Sequence, residues 1–149
     1  MVPYLTACLI AMVTLGISFK ASAEQRLVDV MFARDVVNRE PVGVFEPGAY
    51  CDKEADSSRQ VPVIDSETER KVVFFNRIKS SAAGILRHTW YKGDAQVGEV
   101  DLRIGVSPGW RTWSSKRIVP KAHVGNWKVV VSTVGEASEV ICVAHFVVR

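Results

Sequence analysis

The chain has 149 residues, 48% of them hydrophobic and 23% charged, with a formal net charge of +3. That size suits one domain built on one packed core. The balance argues against a multi-pass membrane protein, a basic nucleic-acid tail and a disordered acidic segment.

The N-terminus departs from this average. Residues 4–19 carry no formal charge and are followed by Lys20 and then Ala21-Ser22-Ala23. Small residues at positions −3 and −1 are what a signal peptidase accepts, so residues 1–23 read as a signal peptide cut between Ala23 and Glu24. The apolar run is also shorter than the ~20 residues that cross a bilayer comfortably. An uncleaved anchor is the alternative, because no Lys or Arg precedes the run and Lys20 stands close to the cut. Both readings put residues 24–149, as one domain, in the periplasm or outside the cell. The membrane is then met only through an uncleaved N-terminal segment. Leu5-Thr6-Ala7-Cys8 is not a lipoprotein box, since it precedes most of the apolar run.

The remainder reads as strands and turns. Residues 27–34 form a β-type run, and Asn38-Arg39-Glu40-Pro41 reads as a turn fixed by an Arg/Glu ion pair. From about Gly43 to Arg70 lies a long loop: a lid, a disulfide-tied excursion or a mobile segment. Residues 71–76 (KVVFFN) are continuously apolar inside charged bounds, as in a strand buried on both sides. Turns at residues 79–84 and 92–94 flank a strand at 85–91. In the next strand, 97–104, Val100, Leu102 and Ile104 alternate with Glu99, Asp101 and Arg103, the period of a half-exposed strand. Ser107-Pro108-Gly109 turns into 110–115, and strands at 126–133 and 139–148 close the chain. In the last, Val140, Cys142, Ala144, Phe146 and Val148 share a core face.

Seven or so short strands with regular turn signals predict an all-β domain, an immunoglobulin-like antiparallel β-sandwich, with a small β-barrel as the alternative. Beyond residue 23 the cysteines are Cys51 and Cys142. An even pair in an oxidising compartment suggests one disulfide, and a buried free thiol at Cys142 is the competing reading.

Several motifs form a series: Asn38-Arg39-Glu40-Pro41, the stretch from Arg87 to Gly93 (RHTWYKG), the stretch from Trp110 to Lys116 (WRTWSSK), and the stretch from Gly125 to Val129 (GNWKV). On these motifs residues 27–149 resemble the bacterial family known as domain of unknown function 2914. The resemblance implies an exported or membrane-associated β domain and supplies no catalytic residues.

All four tryptophans lie between positions 90 and 127. Trp90 and Trp127 sit in strand patterns, where a core role is the default. Trp110 and Trp113 point to opposite faces of their strand, so one can be core while the other meets water. Arg111 shares the face of Trp113, either covering its ring or joining it in a binding platform. Residues 24–86 carry 9 basic and 11 acidic groups, whereas residues 87–128 carry 8 basic against 3 acidic. Gathered on one surface, the second set would attract an anionic partner; dispersed, it would only be solvated.

Catalysis finds no constellation. His88, His123 and His145 lack metal-ligand spacing, and no Gly-x-Ser-x-Gly elbow is present. His88, on a strand with Trp90, reads as a hydrogen-bonded structural histidine. The expectation is therefore a non-catalytic exported domain with neither cofactor nor metal. It would bind an envelope protein or anionic glycan, and no nucleic acid, through Arg87, Trp110, Arg111, Trp113 and Lys116. A purely structural or assembly module of the envelope is the alternative, and an unrecognised hydrolase is a third reading.

Overall fold

The computed structural model describes residues 23–52 and 58–149; all but the last residue of the export segment read over residues 1–23, and part of the long loop, lie outside them. The described residues form nine strands: β1 Gln25–Val37, β2 Glu40–Val44, β3 Val63–Ile64, β4 Lys71–Ser80, β5 Gly84–Lys92, β6 Ala95–Ile104, β7 Ser107–Arg117, β8 Gly125–Thr133 and β9 Val140–Val148. They make two sheets, ordered β2-β1-β4-β7 and β3-β9-β8-β5-β6. Consecutive strands β4 and β5, β6 and β7, and β7 and β8 lie in opposite sheets. This is the interleaved arrangement of an immunoglobulin-like sandwich, with β6 extending the second sheet. The sheets stay open at their edges, so the barrel alternative is set aside.

Strand alternation builds the core. Phe32, Phe74, Ile78, Leu86, Trp90, Trp127, Val129, Val131, Phe146 and Val148 point inward and are buried. Phe146 is the centre: its ring meets Phe32 at 4.7 Å, Trp127 at 5.7 Å and Trp90 at 6.2 Å between centroids. Val140, read as core, lies half out at the strand's start, 38% exposed.

Two short strands were not expected. Val37 and Glu40 pair across Asn38 and Arg39, both at positive φ (50° and 64°), so the segment read as an ion-pair turn is a tight two-residue hairpin. Glu40 does not pair with Arg39. Its carboxylate reaches Arg77 at 2.7 Å and Arg111 at 2.8 Å. Arg77 is in register with Asp29, eight residues up β1 from Val37. A straight strand would set those levels about 26 Å apart, beyond what an Arg–Glu pair can span. The β1–β2 hairpin therefore folds back over the outer side of the four-stranded sheet. Beneath it, Ala33, Val73 and Phe75 are buried although they point away from the sandwich core. That second layer is why β4 reads as apolar on both faces.

The long loop is a disulfide-tied excursion. Cys51 and Cys142 are bonded, with Cα atoms 4.9 Å apart and a sequence separation of 91. Cys51 also bridges to Ala144, and β3 runs parallel to β9 along the same edge, so the loop covers the edge that β9 would leave open.

Candidate functional site

The tryptophan-rich motif is β7, the free edge of the four-stranded sheet. Its even positions, Trp110, Thr112, Ser114 and Lys116, turn inward, and Arg111, Trp113, Ser115 and Arg117 turn outward.

The inward residues bridge the two sheets. The Thr112 hydroxyl donates to Oδ1 of Asn76 on β4. Asn76 Nδ2 donates to Nε2 of His88 on β5 at 3.2 Å, and His88 Nδ1 donates to Oγ of Ser114 at 2.8 Å. Ser114 Oγ also accepts the indole N–H of Trp90 at 3.0 Å. The amide orientation of Asn76 makes Nε2 an acceptor, which assigns His88 the neutral tautomer protonated at Nδ1. All members are buried, and desolvation pushes the imidazole down to about 3. His88 is thus a structural histidine.

Two further inward residues close the seam between β7 and β6. Lys116 Nζ donates to the carbonyl of Val97 at 2.5 Å, placing a charge where two sheet edges meet. Trp110 packs on the core and lies against Gly105, where an added Cβ would stand 2.6 Å from the indole ring. Gly105→Ala must displace that ring. A thermal melt is expected to show a loss of about 1–3 kcal/mol, accompanied by a shift in tryptophan emission.

Outward, Trp113 is 37% exposed and stacks on Phe75, with centroids 6.2 Å apart and planes at 14°. Arg77 lies over the same Phe75 ring at 5.8 Å. Arg111 does not cap Trp113; its guanidinium goes to Glu40, and its Nε is buried without a hydrogen-bond partner. Beside them, at the lateral opening between the sheets, is a groove of about 180 Å³ lined by Leu102, Arg103, Arg111, Thr112 and Trp113.

The five residues singled out from sequence are thus not brought together. Arg87 lies on β5 in the opposite sheet, held by Asp101 at 2.7 Å and Glu99 at 3.4 Å. Trp110 and Lys116 face the seam, and only Arg111 and Trp113 share an open surface. The basic side chains of residues 87–128 are likewise divided between the sheets: Lys128 lies over Tyr91 on one and Arg111 meets Glu40 on the other. Sequence reading missed Glu40 as a neighbour of this surface and held Arg103 only as one of the eight basic residues of 87–128. Glu40 was visible only as half of a turn, and the hairpin's return over the sheet is a long-range event.

His123 Nδ1 accepts the backbone N–H of Val119 at 3.1 Å, and burial pushes the His145 imidazole below its ordinary value. No cluster of three His, Cys, Asp or Glu side chains suited to a metal occurs among the described residues.

Fold and site together define an immunoglobulin-like β-sandwich whose edge strand carries one stacked, open tryptophan. Residues 85–148 match the family described as Protein of unknown function (DUF2914). The matched stretch runs from β5 through β9 and contains the motifs beginning at Arg87, Trp110 and Gly125, whereas Asn38-Arg39-Glu40-Pro41 lies outside it. No curated protein matches the chain.

Proposed function

We propose that this chain is an exported, non-catalytic binding module of the bacterial cell envelope, which meets an envelope protein or glycan through the outward side of β7 at Trp113. The observation that carries this reading is the state of Trp113. Trp90 and Trp127 are 1% and 2% exposed, whereas Trp113 offers 37% of its surface while stacked on the buried Phe75. An aromatic plane held in place loses little conformational freedom on binding, which is how interface anchors act. Export is supported by the apolar segment before Ala23 and by the disulfide, which persists in oxidising compartments. No helix among the described residues is long and apolar enough to cross a membrane.

A structural or assembly module is the second reading, favoured by the inward commitment of Trp110, Thr112, Ser114 and Lys116. Retention of the purified protein on native envelope fractions separates the two. Trp113→Ala is expected to reduce retention at least tenfold, with a melting temperature near that of the parent. Equal retention of parent and variant would remove the Trp113 surface from consideration and leave the structural reading.

A further inference from the structure

Taking that binding role as its premise, we propose that the groove at the β6–β7 seam accepts a carboxylated sugar, a uronic acid unit of an anionic glycan. The sugar ring lies on Trp113, and its carboxylate is taken by Arg111 and Arg103.

The groove lining holds two guanidinium-bearing residues, one indole, one leucine and one threonine, and no carboxylate. Arg103 is exposed and makes no ion pair among the described residues. Arg111 is only partly satisfied. One terminal nitrogen is ion-paired with Glu40 Oε1 at 2.8 Å, while its Nε is buried with no hydrogen-bond partner. A buried donor left unmade is costly, and a guanidinium swung clear of Glu40 offers a carboxylate approaching side-on its Nε together with one terminal nitrogen in paired bonds.

Glu40 can release Arg111 for this purpose. Its other oxygen already holds Arg77 at 2.7 Å, so the exchange leaves no carboxylate stranded. Bound ligand therefore gains a two-point contact at Arg111 while the hairpin stays tied to the sheet through Arg77.

The indole decides between a sugar and a peptide. Trp113 is stacked on Phe75 and leaves 37% of its surface open, an aromatic, largely apolar surface next to cationic groups. A pyranose ring presents such a plane with polar groups at its rim, and a carboxylate at that rim falls toward the arginines. A flexible acidic peptide has the charge without the flat face. Concave sites that mix an aromatic floor with a few polar groups are the usual form of small-ligand recognition.

The test titrates the intact oxidised protein with tri-galacturonate, a neutral galactose trimer and a pentaglutamate peptide. Heat and tryptophan emission are followed at low and at physiological salt. The expected result is saturable binding of tri-galacturonate, with Trp113 emission changed and affinity at least about tenfold above both other probes, a margin of about 1.4 kcal/mol. Arg111→Gln and Arg103→Gln should each weaken it several-fold or more. Arg103→Gln keeps the result interpretable if the first variant loosens the hairpin, because the Arg103 side chain makes no ion pair among the described residues. Equal affinity for the neutral trimer, equal or tighter binding of pentaglutamate, no saturation by ~10 mM, or indifference to both arginine changes would each overturn the assignment. Envelope retention is read in parallel. If retention depends on Trp113 but tri-galacturonate does not compete, the sugar assignment fails and the binding module stands. If retention is independent of Trp113, both fail together.

Discussion

Breaking the Cys51–Cys142 bond is expected to lower the unfolding free energy by about 4.5 kcal/mol. The bond closes a loop whose ends are separated by 91 positions in sequence. In the chain-entropy account, tying two points so far apart removes a large share of the freedom of the unfolded chain. For a protein stable by ~5–15 kcal/mol that is a large fraction of the total, and the melting temperature should fall by on the order of 15 °C. Cys51 is exposed and Cys142 is 1% exposed inside the core, so the two cysteines allow a clean separation. Cys51→Ser should reproduce the effect of reductant and become indifferent to it. Cys142→Ala should cost more, because it also opens a void among Val131, Ala144 and their neighbours. Denaturant unfolding with and without reductant measures all three. A loss below ~1 kcal/mol on reduction would mean that the β3 edge and the core already hold the loop without the bond.

The strands from β4 onward were legible because each is a continuous or alternating apolar run between charged or glycine-bearing turns. Lys92-Gly93-Asp94 illustrates the point: Lys92 and Ala95 pair across a two-residue turn in which Gly93 takes a φ of 56°. The two missed strands fail in opposite ways. β2 begins Glu40-Pro41, and a proline at the second position argues against a strand, yet β2 is the sheet's outer edge, where a missing donor is tolerated. β3 is two residues long and has no period to detect. Its position is set by the parallel pairing of Val63 with Val147, 84 residues away, which no local pattern encodes.

The site shows the same division between local pattern and distant partner. Alternation assigned Trp110 and Trp113 to opposite faces of β7, and that much the residues themselves contain. What alternation could not convey is that Thr112, Ser114 and Lys116, polar side chains of surface type, occupy the inward face. Each is tolerable there only because a partner waits on another strand: Asn76, His88 and the Val97 carbonyl. Those partners lie 36, 26 and 19 residues away. The motif's specificity of composition therefore reflects a set of long-range hydrogen bonds more than a ligand, and only its odd positions remain open to one.

That buried network makes stability depend on acid. His88 is neutral in the folded state, its imidazole held down at about 3 by desolvation, against an ordinary value near 6.5. Between those values the unfolded chain binds a proton at this residue and the folded chain does not. Stability is therefore fully present above about pH 6.5 and is lost as pH falls, by up to ~1.4 kcal/mol per pH unit. From neutral pH to pH 5 the loss from His88 alone is about 2 kcal/mol. His145, also shifted down by burial, adds a smaller loss in the same direction. Asp35 and Asp101 do not contribute in this window. Hydrogen bonds from Lys71 and Arg87 hold their carboxyls below 3.8, so their stabilisation is lost only at lower pH. His88→Leu should lower stability at pH 7 by about 1–3 kcal/mol, since Asn76 and Ser114 lose a partner in the core. It should also flatten the stability profile between pH 6.5 and 4, leaving the shallow slope of His145. Urea unfolding at half-unit pH steps reads both quantities. A parent profile that is flat across this range would show that His88 takes up its proton without opening the sandwich.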